Sequence, residues 1–417
     1  MTGVASFLLF FVIILALFGG MQYYVYRAYR IWARLAFHAA RTRKFRNGAL
    51  IVLLLGNILV LGQFAIRTFP LYDNPLVQYL LIYPSGIFFA SIVCGFLIIA
   101  IRDIVRLSLF WVRRGGVLLR RLGEAESTTV ETDAPDAMSE SRRKFLQLGG
   151  AGAIAASLGT PIFSSIFNTH DYRIVRLPLY FKKLPPGLDG FTIAQVSDVH
   201  AGIYMTESDM MEIVELTNGL HPNLIALTGD HVDNADVQIP SMIHAMKLLK
   251  SEYGVFGCLG NHDHFATAEK VSAALEGAGT VMLNNAHRTL MVNGDKLSLV
   301  GIDDAGRGLG NFSRLDEAVG GLDHESFKIL LSHRPDFFTQ ARDADIDLTL
   351  SGHTHGGQVG IEFWGIKLNP VYLVHKYAKG LYIEDGKQLY VNVGVGVVGA
   401  PVRFIPPEIT LITLHRA

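Results

Sequence analysis

Phe191-Thr192-Ile193-Ala194-Gln195-Val196-Ser197-Asp198-Val199-His200 is the stretch that decides the fold. An apolar run of strand type, Phe191 to Val196, is followed at once by an acid and an imidazole two residues apart. The pattern recurs. Leu224 to Leu227 precedes Gly229-Asp230, Val255 to Leu259 precedes Gly260-Asn261-His262-Asp263, Phe327 to Leu331 precedes Ser332-His333, and Leu348 to Leu350 precedes Gly352-His353-Thr354-His355. Folds of the α/β class build their sites where strands end and loops begin. Acid, amide and imidazole groups converging on one such edge are what a pair of divalent metal ions requires.

Outward from these motifs, the intervening segments Thr206–Leu220, Pro240–Lys250, Thr267–Ala278 and Pro335–Arg342 read as helices. The early motifs lie about one βαβ unit apart, ~30 residues. Strand patterns dominate later, at Leu297–Ile302, Gly380–Glu384, Leu389–Val395 and Ile409–Leu414, with Asn293-Gly294 and Asp385-Gly386 as hairpin turns. A chain that begins α/β and finishes in hairpins predicts two packed mixed β-sheets flanked by helices, a four-layer αββα domain over residues 171–417.

The first 170 residues are of another kind. No acidic or basic side chain interrupts Met1–Tyr26, Asn47–Ile66, Asn74–Ile101 or Phe145–Thr169. Each reaches the roughly 20 helical residues needed to cross a bilayer core. Three transmembrane helices are expected within 1–122 and a fourth segment within 142–170. Between them, 123–141 is polar and acidic and reads as a disordered cytoplasmic linker. Ile104–Val112 mixes apolar and basic residues, as an interfacial helix does.

Basic residues set the orientation. Arg27, Arg30, Arg34, Arg41, Arg43, Lys44 and Arg46 lie between the first two apolar stretches, and only Arg67 between the second and third. After the third come Arg102, Arg106, Arg113, Arg114, Arg120, Arg121, Arg142, Arg143 and Lys144. The positive-inside rule makes the first and third connections cytoplasmic and the domain after the fourth segment extracytoplasmic. The expected location is a bacterial cytoplasmic membrane.

The net charge of zero hides a division: 17 Lys/Arg against 8 Asp/Glu up to His170, then 20 against 29. An acidic second half is a poor groove for a polyanion, so nucleic acid is not an expected partner. With only Cys94 and Cys258, both in apolar stretches, no disulfide framework is implied.

Arg142-Arg143-Lys144-Phe145-Leu146 and the Gly- and Ala-rich stretch after it resemble a twin-arginine export signal, placed internally. Gln147 departs from the usual pattern, in which a lysine is common there. The alternative is an ordinary basic flank on a fourth helix. No small-residue cleavage site follows, so the segment is expected to remain as an anchor. The resemblance implies an export machinery that moves folded proteins, with metals loaded before export.

The motif set resembles the calcineurin-like metallophosphoesterase family from about Phe191 onward. Gly352-His353-Thr354-His355-Gly356-Gly357-Gln358-Val359 and the tail Gly394-Val395-Gly396 through Pro401-Val402-Arg403-Phe404 to Pro406-Pro407-Glu408-Ile409 are similar to its membrane-anchored or exported YkuE-like branch. By that resemblance Asp198, His200 and His355 hold one metal, Asp230 bridges, and Asn261, His333 and His353 hold the second. His262 sits outside the ligands, near the scissile phosphate. The implied cofactors are two divalent ions, with Mn, Fe and Zn all compatible with such ligands. A shared carboxylate holds such ions ~3.5–4 Å apart, the spacing of an in-line displacement by metal-activated water.

Asp263 reads as an orienting or capping residue. His231, His264 and His375 read as rim residues or substrate contacts, Asp303-Asp304 as a turn or cap, and Arg334 as a phosphate contact or a surface ion pair. Gly394 to Gly399 reads as tight backbone packing near the site. The apolar segment from Phe363 to Tyr372 and Tyr377 reads either as a rim resting on the membrane or as hairpin core of the second sheet. The expected activity is hydrolysis of a phosphodiester or pyrophosphate on a phosphorylated small molecule or lipid-linked envelope substrate. The alternatives are a non-catalytic sensor or scaffold binding a phosphorylated ligand, and a nuclease or nucleotide phosphodiesterase.

Overall fold

The computed structural model describes residues 2–37, 39–66, 71, 74–123, 140–306, 311–323, 325–363 and 366–417. The first part is helical: α1 (Thr2–Ala36), α2 (Ala39–Ile66), α3 (Pro75–Val77), a π-helical turn at Gln78–Ile82, α4 (Tyr83–Gly123) and α5 (Glu140–Phe167). Among the described residues, Arg41–Gln63, Pro75–Val112 and Arg143–Phe167 are long and apolar enough to cross a membrane. The expected first span falls in α1, whose side chains as far as residue 14 lie outside the described residues. Most of the expected linker, 124–139, lies outside them too. Ile104–Val112 is no separate interfacial helix. It continues α4 without a break, because no glycine or proline stands between it and the span before it.

The chain divides into two compact units. The first comprises 1–61 and 87–162. Its helices satisfy their polar groups on one another: the Trp32 indole donates to the Leu146 carbonyl at 2.7 Å, and the Gln22 and Asn57 amides exchange bonds at 2.9 and 3.0 Å. Hydrocarbon offers no alternative partners for such groups.

The second unit comprises 62–86 and 163–417. Its strands are β1 (Arg173–Phe181), β2 (Thr192–Val196), β3 (Leu224–Thr228), β4 (Val255–Cys258), β5 (Thr280–Met282), β6 (Ala286–Val292), β7 (Asp295–Gly301), β8 (Phe327–Leu331), β9 (Leu348–Ser351), β10 (Ile361–Phe363), β11 (Ile366–Leu368), β12 (Gly380–Glu384), β13 (Lys387–Val391) and β14 (Glu408–Arg416). One sheet runs β1-β14-β2-β3-β4-β5 and the other β12-β13-β9-β8-β7-β6. Both are mixed. β2 to β5 are parallel, β14 runs against β2, and the second sheet is parallel from β13 to β7 with antiparallel outer strands. Ile193, Phe256, Leu299, Ile329, Leu350 and Ile412 are buried where the sheets face each other.

Helices cover the outer faces. Met210 and Ile213 of α6 (Glu207–Gly219), Met242 of α7 (Ile239–Met246), and Val271 and Leu275 of α9 (Ala268–Gly277) pack with Val196, Ile225 and Leu227 of the first sheet; between α7 and α9 stands the short α8 (Asn261–Phe265). Ala318 of α10 (Leu315–Val319) and Ala341 of α11 (Phe338–Asp343) pack with Val300 and Leu330 of the second. The expected four-layer αββα arrangement is present.

Both hairpin turns form where expected. Asn293-Gly294 and Asp385-Gly386 have positive φ at both positions, as a tight two-residue hairpin demands. Of the apolar segment after Gly360, Tyr377 packs in the core with Phe338 and with Leu389 and Val391 of β13, while β10 and β11 lie outside the second sheet. β10 and β11 pair only with each other, and α12 (Val371–Val374) follows them. Trp364 and Gly365 lie outside the described residues.

Candidate metal centre

Every polar motif falls where a strand ends: Asp198 and His200 after β2, Asp230 after β3, Asn261 and His262 after β4, His333 after β8, His353 and His355 after β9. These strands run parallel within each sheet, so their carboxyl ends share an edge. Backbone bonds join the loops there. The amides of Asp198 and His200 donate to the carbonyls of Gly229 and Asp230 at 3.0 and 2.9 Å, and Gly352 donates to His333 at 3.0 Å.

The loops are bent tightly. Asp198, His200, Asp230, His353 and His355 all lie in the left-handed region, with φ of 53°, 49°, 54°, 72° and 50°. For residues with a Cβ this conformation costs of order 1–3 kcal/mol each. Gly352 is required for another reason: a Cβ there would stand 2.1 Å from Asp198 Oδ2 and 2.0 Å from Ser197 Oγ.

Three groups of side chains bring ligand atoms within 4.8 Å of one another: Asp198, His200 and His355; Asp230, His333 and His353; and His200, Asp233 and His262. The first two are the sets that the resemblance assigned to separate ions, apart from Asn261. Nε2 of His200 faces Nε2 of His355 at 3.0 Å, and Nε2 of His333 faces Asp230 Oδ2 at 3.1 Å. His333 Nδ1 donates to the Thr228 carbonyl at 2.9 Å, which orients the ring and aims Nε2 inward at Asp230. Among the described residues, the buried amide oxygen of Asn261 has no hydrogen-bond partner. Imidazole nitrogens and carboxylates converging on one another, and an orphaned amide oxygen, are satisfied by cations. The donor set fits divalent metal.

Burial holds His200, His353 and His355 well below the usual imidazole pKa, which keeps them neutral and able to ligate. Asp198 is pushed up to about 6, chiefly by burial. Burial also disfavours charge on Asp230 and His333, but their mutual attraction wins: Asp230 stays well below the usual carboxylate range and His333 rises to about 10.

His262 lies beside these groups, its ring 4.5 Å from that of His200. Its Nδ1 donates to the Asp233 carbonyl and its backbone N–H to Asp230 Oδ1 at 2.7 Å. The Asp233 carboxylate stands 3.7 Å from His262 Nδ1 and 3.9 Å from His200 Nδ1. Asp233 belongs to the site although it was not among the expected residues.

Asp263 is the hub that was expected to orient. It accepts from the backbone N–H groups of Gly260, Asp230, His231 and Val232 at 2.9, 3.1, 2.8 and 3.2 Å, and from His231 Nδ1 at 3.0 Å. His231 is thereby a buried support rather than a rim residue. His264 bonds Asp303 at 2.7 Å and stacks on Phe312 at 4.2 Å. Arg334 pairs with buried Asp304 at 2.6 Å, while its Nη1 lies 3.1 Å from His353 Nε2. It is neither a surface pair nor remote from the ligands. The His375 ring stands 5.6 Å from that of His353.

The glycine-rich tail packs as expected. Gly396 N donates to the Asp198 carbonyl at 2.8 Å, and a Cβ on Gly394 would stand 2.7 Å from that of Asp198. Arg403, fully buried, holds this turn. Its guanidinium donates to the carbonyls of Val393 (2.7 Å), Gly394 (3.2 Å), Ile405 (3.0 Å) and Gly396. Its own N–H and carbonyl bond the Ser164 hydroxyl of α5 at 2.8 and 2.5 Å.

Residues 191–357, which hold all of these strand-end motifs, match the family model for calcineurin-like phosphoesterases. A Bacillus subtilis (strain 168) metallophosphoesterase, YkuE, is 34% identical over 287 residues, 66% of this chain and 97% of that protein. The chain belongs to the calcineurin-like metallophosphoesterase family. A Danio rerio transmembrane protein with a metallophosphoesterase domain is 29% identical, covering 72% of this chain and 69% of its own length. Among solved structures, phosphopantetheinyl hydrolase from Mycobacterium tuberculosis aligns with a TM-score of 0.31 at 13% identity, over 51% of this chain and 91% of that one. As a metallophosphoesterase, the chain is a phosphoester hydrolase of a family that uses divalent metals, and its His/Asp clusters are able to bind them.

Proposed function

We propose that this metallophosphoesterase is a membrane-anchored, extracytoplasmic enzyme with a binuclear centre that cleaves a phosphodiester or pyrophosphate bond in a lipid-linked or other envelope compound. The observation that carries this reading is the pairing of two ligand groups, Asp198/His200/His355 and Asp230/His333/His353, across one sheet edge with His262 beside them. Asn261, with its orphaned oxygen, completes the second group. When bound, the two ions supply Lewis-acid charge and an activated water.

The chain's own residues do the rest. Asp198 and Asp230 offset only half of the charge of two divalent ions, so the site draws a phosphate despite the acidic domain around it. His262, with Nδ1 committed to the Asp233 carbonyl, presents Nε2 to the site. Protonated there, it stabilises the phosphoryl oxygens or delivers a proton to the leaving oxygen. Arg334, tied to Asp304, adds a fixed cation beside His353.

The test is turnover of bis-p-nitrophenyl phosphate by the purified full chain with Mn²⁺, Fe²⁺ or Zn²⁺. His262→Ala is expected to lower kcat by ~10²–10⁴ while leaving metal bound. An inert wild-type chain with every ion would overturn the enzyme reading in favour of a phosphate-binding scaffold.

A further inference from the structure

The most exposed large apolar side chains described in 171–417 are Leu373, at 89%, and Val374, at 76%; the next, Ile383, is 60% exposed. Both exceed Leu54 (62%) of the second membrane helix. They sit on α12, a single turn at the mouth of the site. Its cap, His375, has its ring 5.6 Å from that of His353. Its base is pinned by Asn369, which donates to the Gly356 carbonyl at 2.8 Å and accepts from Val371 N at 3.2 Å. Other apolar groups share the mouth. Phe265, half exposed, stands 4.9 Å from His262, and Val359, equally exposed, lies four residues past His355.

What covers this turn is indicated by what lies behind it. The Gln358 carbonyl accepts from Phe404 N at 2.8 Å, and its amide donates to Val398 and Ala400. That same 398–404 segment rests on membrane-helix ends in the same unit. Arg403 bonds Ser164, the Pro401 carbonyl accepts from Thr169 at 3.2 Å, and the Pro401 ring abuts Gly86. Around those ends Leu76, Tyr79, Leu80, Ile166 and Phe167 are themselves exposed. One loop therefore separates the metal-bearing mouth from the points where two spans leave the bilayer. Lys376, beside the turn, is matched by Glu384 at 3.0 Å, and the attraction argued for the turn is apolar.

We propose that α12 is a lip that seats Leu373 and Val374 in the bilayer surface, so that the site takes its phosphodiester or diphosphate from an acyl- or prenyl-chain lipid lying in that leaflet. This rests on the phosphoesterase reading above and names its substrate class. Apolar burial also predicts that seating persists at high salt, unlike attraction to anionic headgroups.

The test uses the full chain in vesicles of phosphatidylethanolamine and phosphatidylglycerol with Mn²⁺, and two diesters of one chemistry: methyl and hexadecyl p-nitrophenyl phosphate. Wild type is expected to favour the hexadecyl ester, and Leu373→Asp/Val374→Asp to cut that preference by about 10–100-fold, the worth of one buried aliphatic side chain. Equal kcat/KM for the two esters in wild type, or an unchanged preference in the variant, overturns the lip. Failure to cleave either ester overturns the phosphoesterase reading instead. A nitroxide on Leu373→Cys reads seating without turnover. Greater accessibility to oxygen than to a water-soluble nickel chelate, at low and high salt alike, supports the lip, and the reverse order overturns it.

Discussion

His262, Asp263 and His264 are neighbours with three different fates, set by what each one touches. Asp263 has no exposure and anchors four backbone amides that shape the Asp230 and Asn261 loops. Replacing it by Asn turns one acceptor into a donor facing donors, with an expected loss of about 3 kcal/mol or more in urea unfolding. His264 supplies a pH signature. Burial opposes its charge, but the bond and charge of Asp303 outweigh this and raise its pKa above the ordinary value of 6.5. A raised folded-state pKa contributes stability in full below the unfolded value of about 6.5, and that contribution is lost as pH rises through the folded value. The Tm advantage of wild type over His264→Gln is therefore expected to be largest in mild acid and to shrink as pH rises; a constant difference would count against the ion pair. The residues that the structure brings together here were legible in the sequence because five motifs repeat one arrangement, strand then donor. Asp233 was not, since an acid three residues past Asp230 looks like any polar turn until the chain folds His262 onto its carbonyl.

At the scale of elements, the tail between β13 and β14 works as a brace. Arg403 carries a buried charge with carbonyls, not a carboxylate, in hydrogen-bond contact, and burial pushes its pKa down to about 10. Such a cation is costly unless geometry requires it. Here it fixes the Gly394–Gly396 turn that backs Asp198. Arg403→Met is expected to weaken Mn²⁺ binding at least tenfold by calorimetry, while Ser164→Ala, which removes only the link to α5, has a smaller effect. Gly352→Ala is expected to abolish binding at the Asp198 position, because its methyl group would occupy the carboxylate's space. Central strands and their helices were readable from apolar runs. β1 was not. Arg173-Ile174-Val175-Arg176-Leu177-Pro178 carries two arginines and a proline, and it becomes a strand only by pairing in parallel with β14, more than 200 residues later. Its edge position tolerates Pro178.

At the scale of the whole molecule, the charge division gives a prediction about sidedness. The basic connections between the spans predict that Lys44 and Glu276 lie on opposite faces of the membrane. In intact cells a membrane-impermeant maleimide is expected to label Glu276→Cys at once and Lys44→Cys only after permeabilisation; the opposite pattern would invert the orientation. Cys258 gives little background, since it is fully buried and burial raises its pKa far above the ordinary thiol value, and a Cys94→Ser background removes the other native thiol. Three helices long and apolar enough to cross a membrane were legible from composition alone. Their polar ends were not: the bonds from Gln63 to Tyr204 and from Gln78 to the Ile203 carbonyl join residues more than 100 positions apart, and no local pattern announces them.

Five of the side chains that face the metal centre hang from left-handed backbone. Without a cation to hold them, that edge stores several kcal/mol of unfavourable torsion, and it is the first place the chain gains by loosening. Ion uptake is then expected to act as a closing step of folding rather than a later decoration, so that the ions available where the chain first closes bear on which of them it holds.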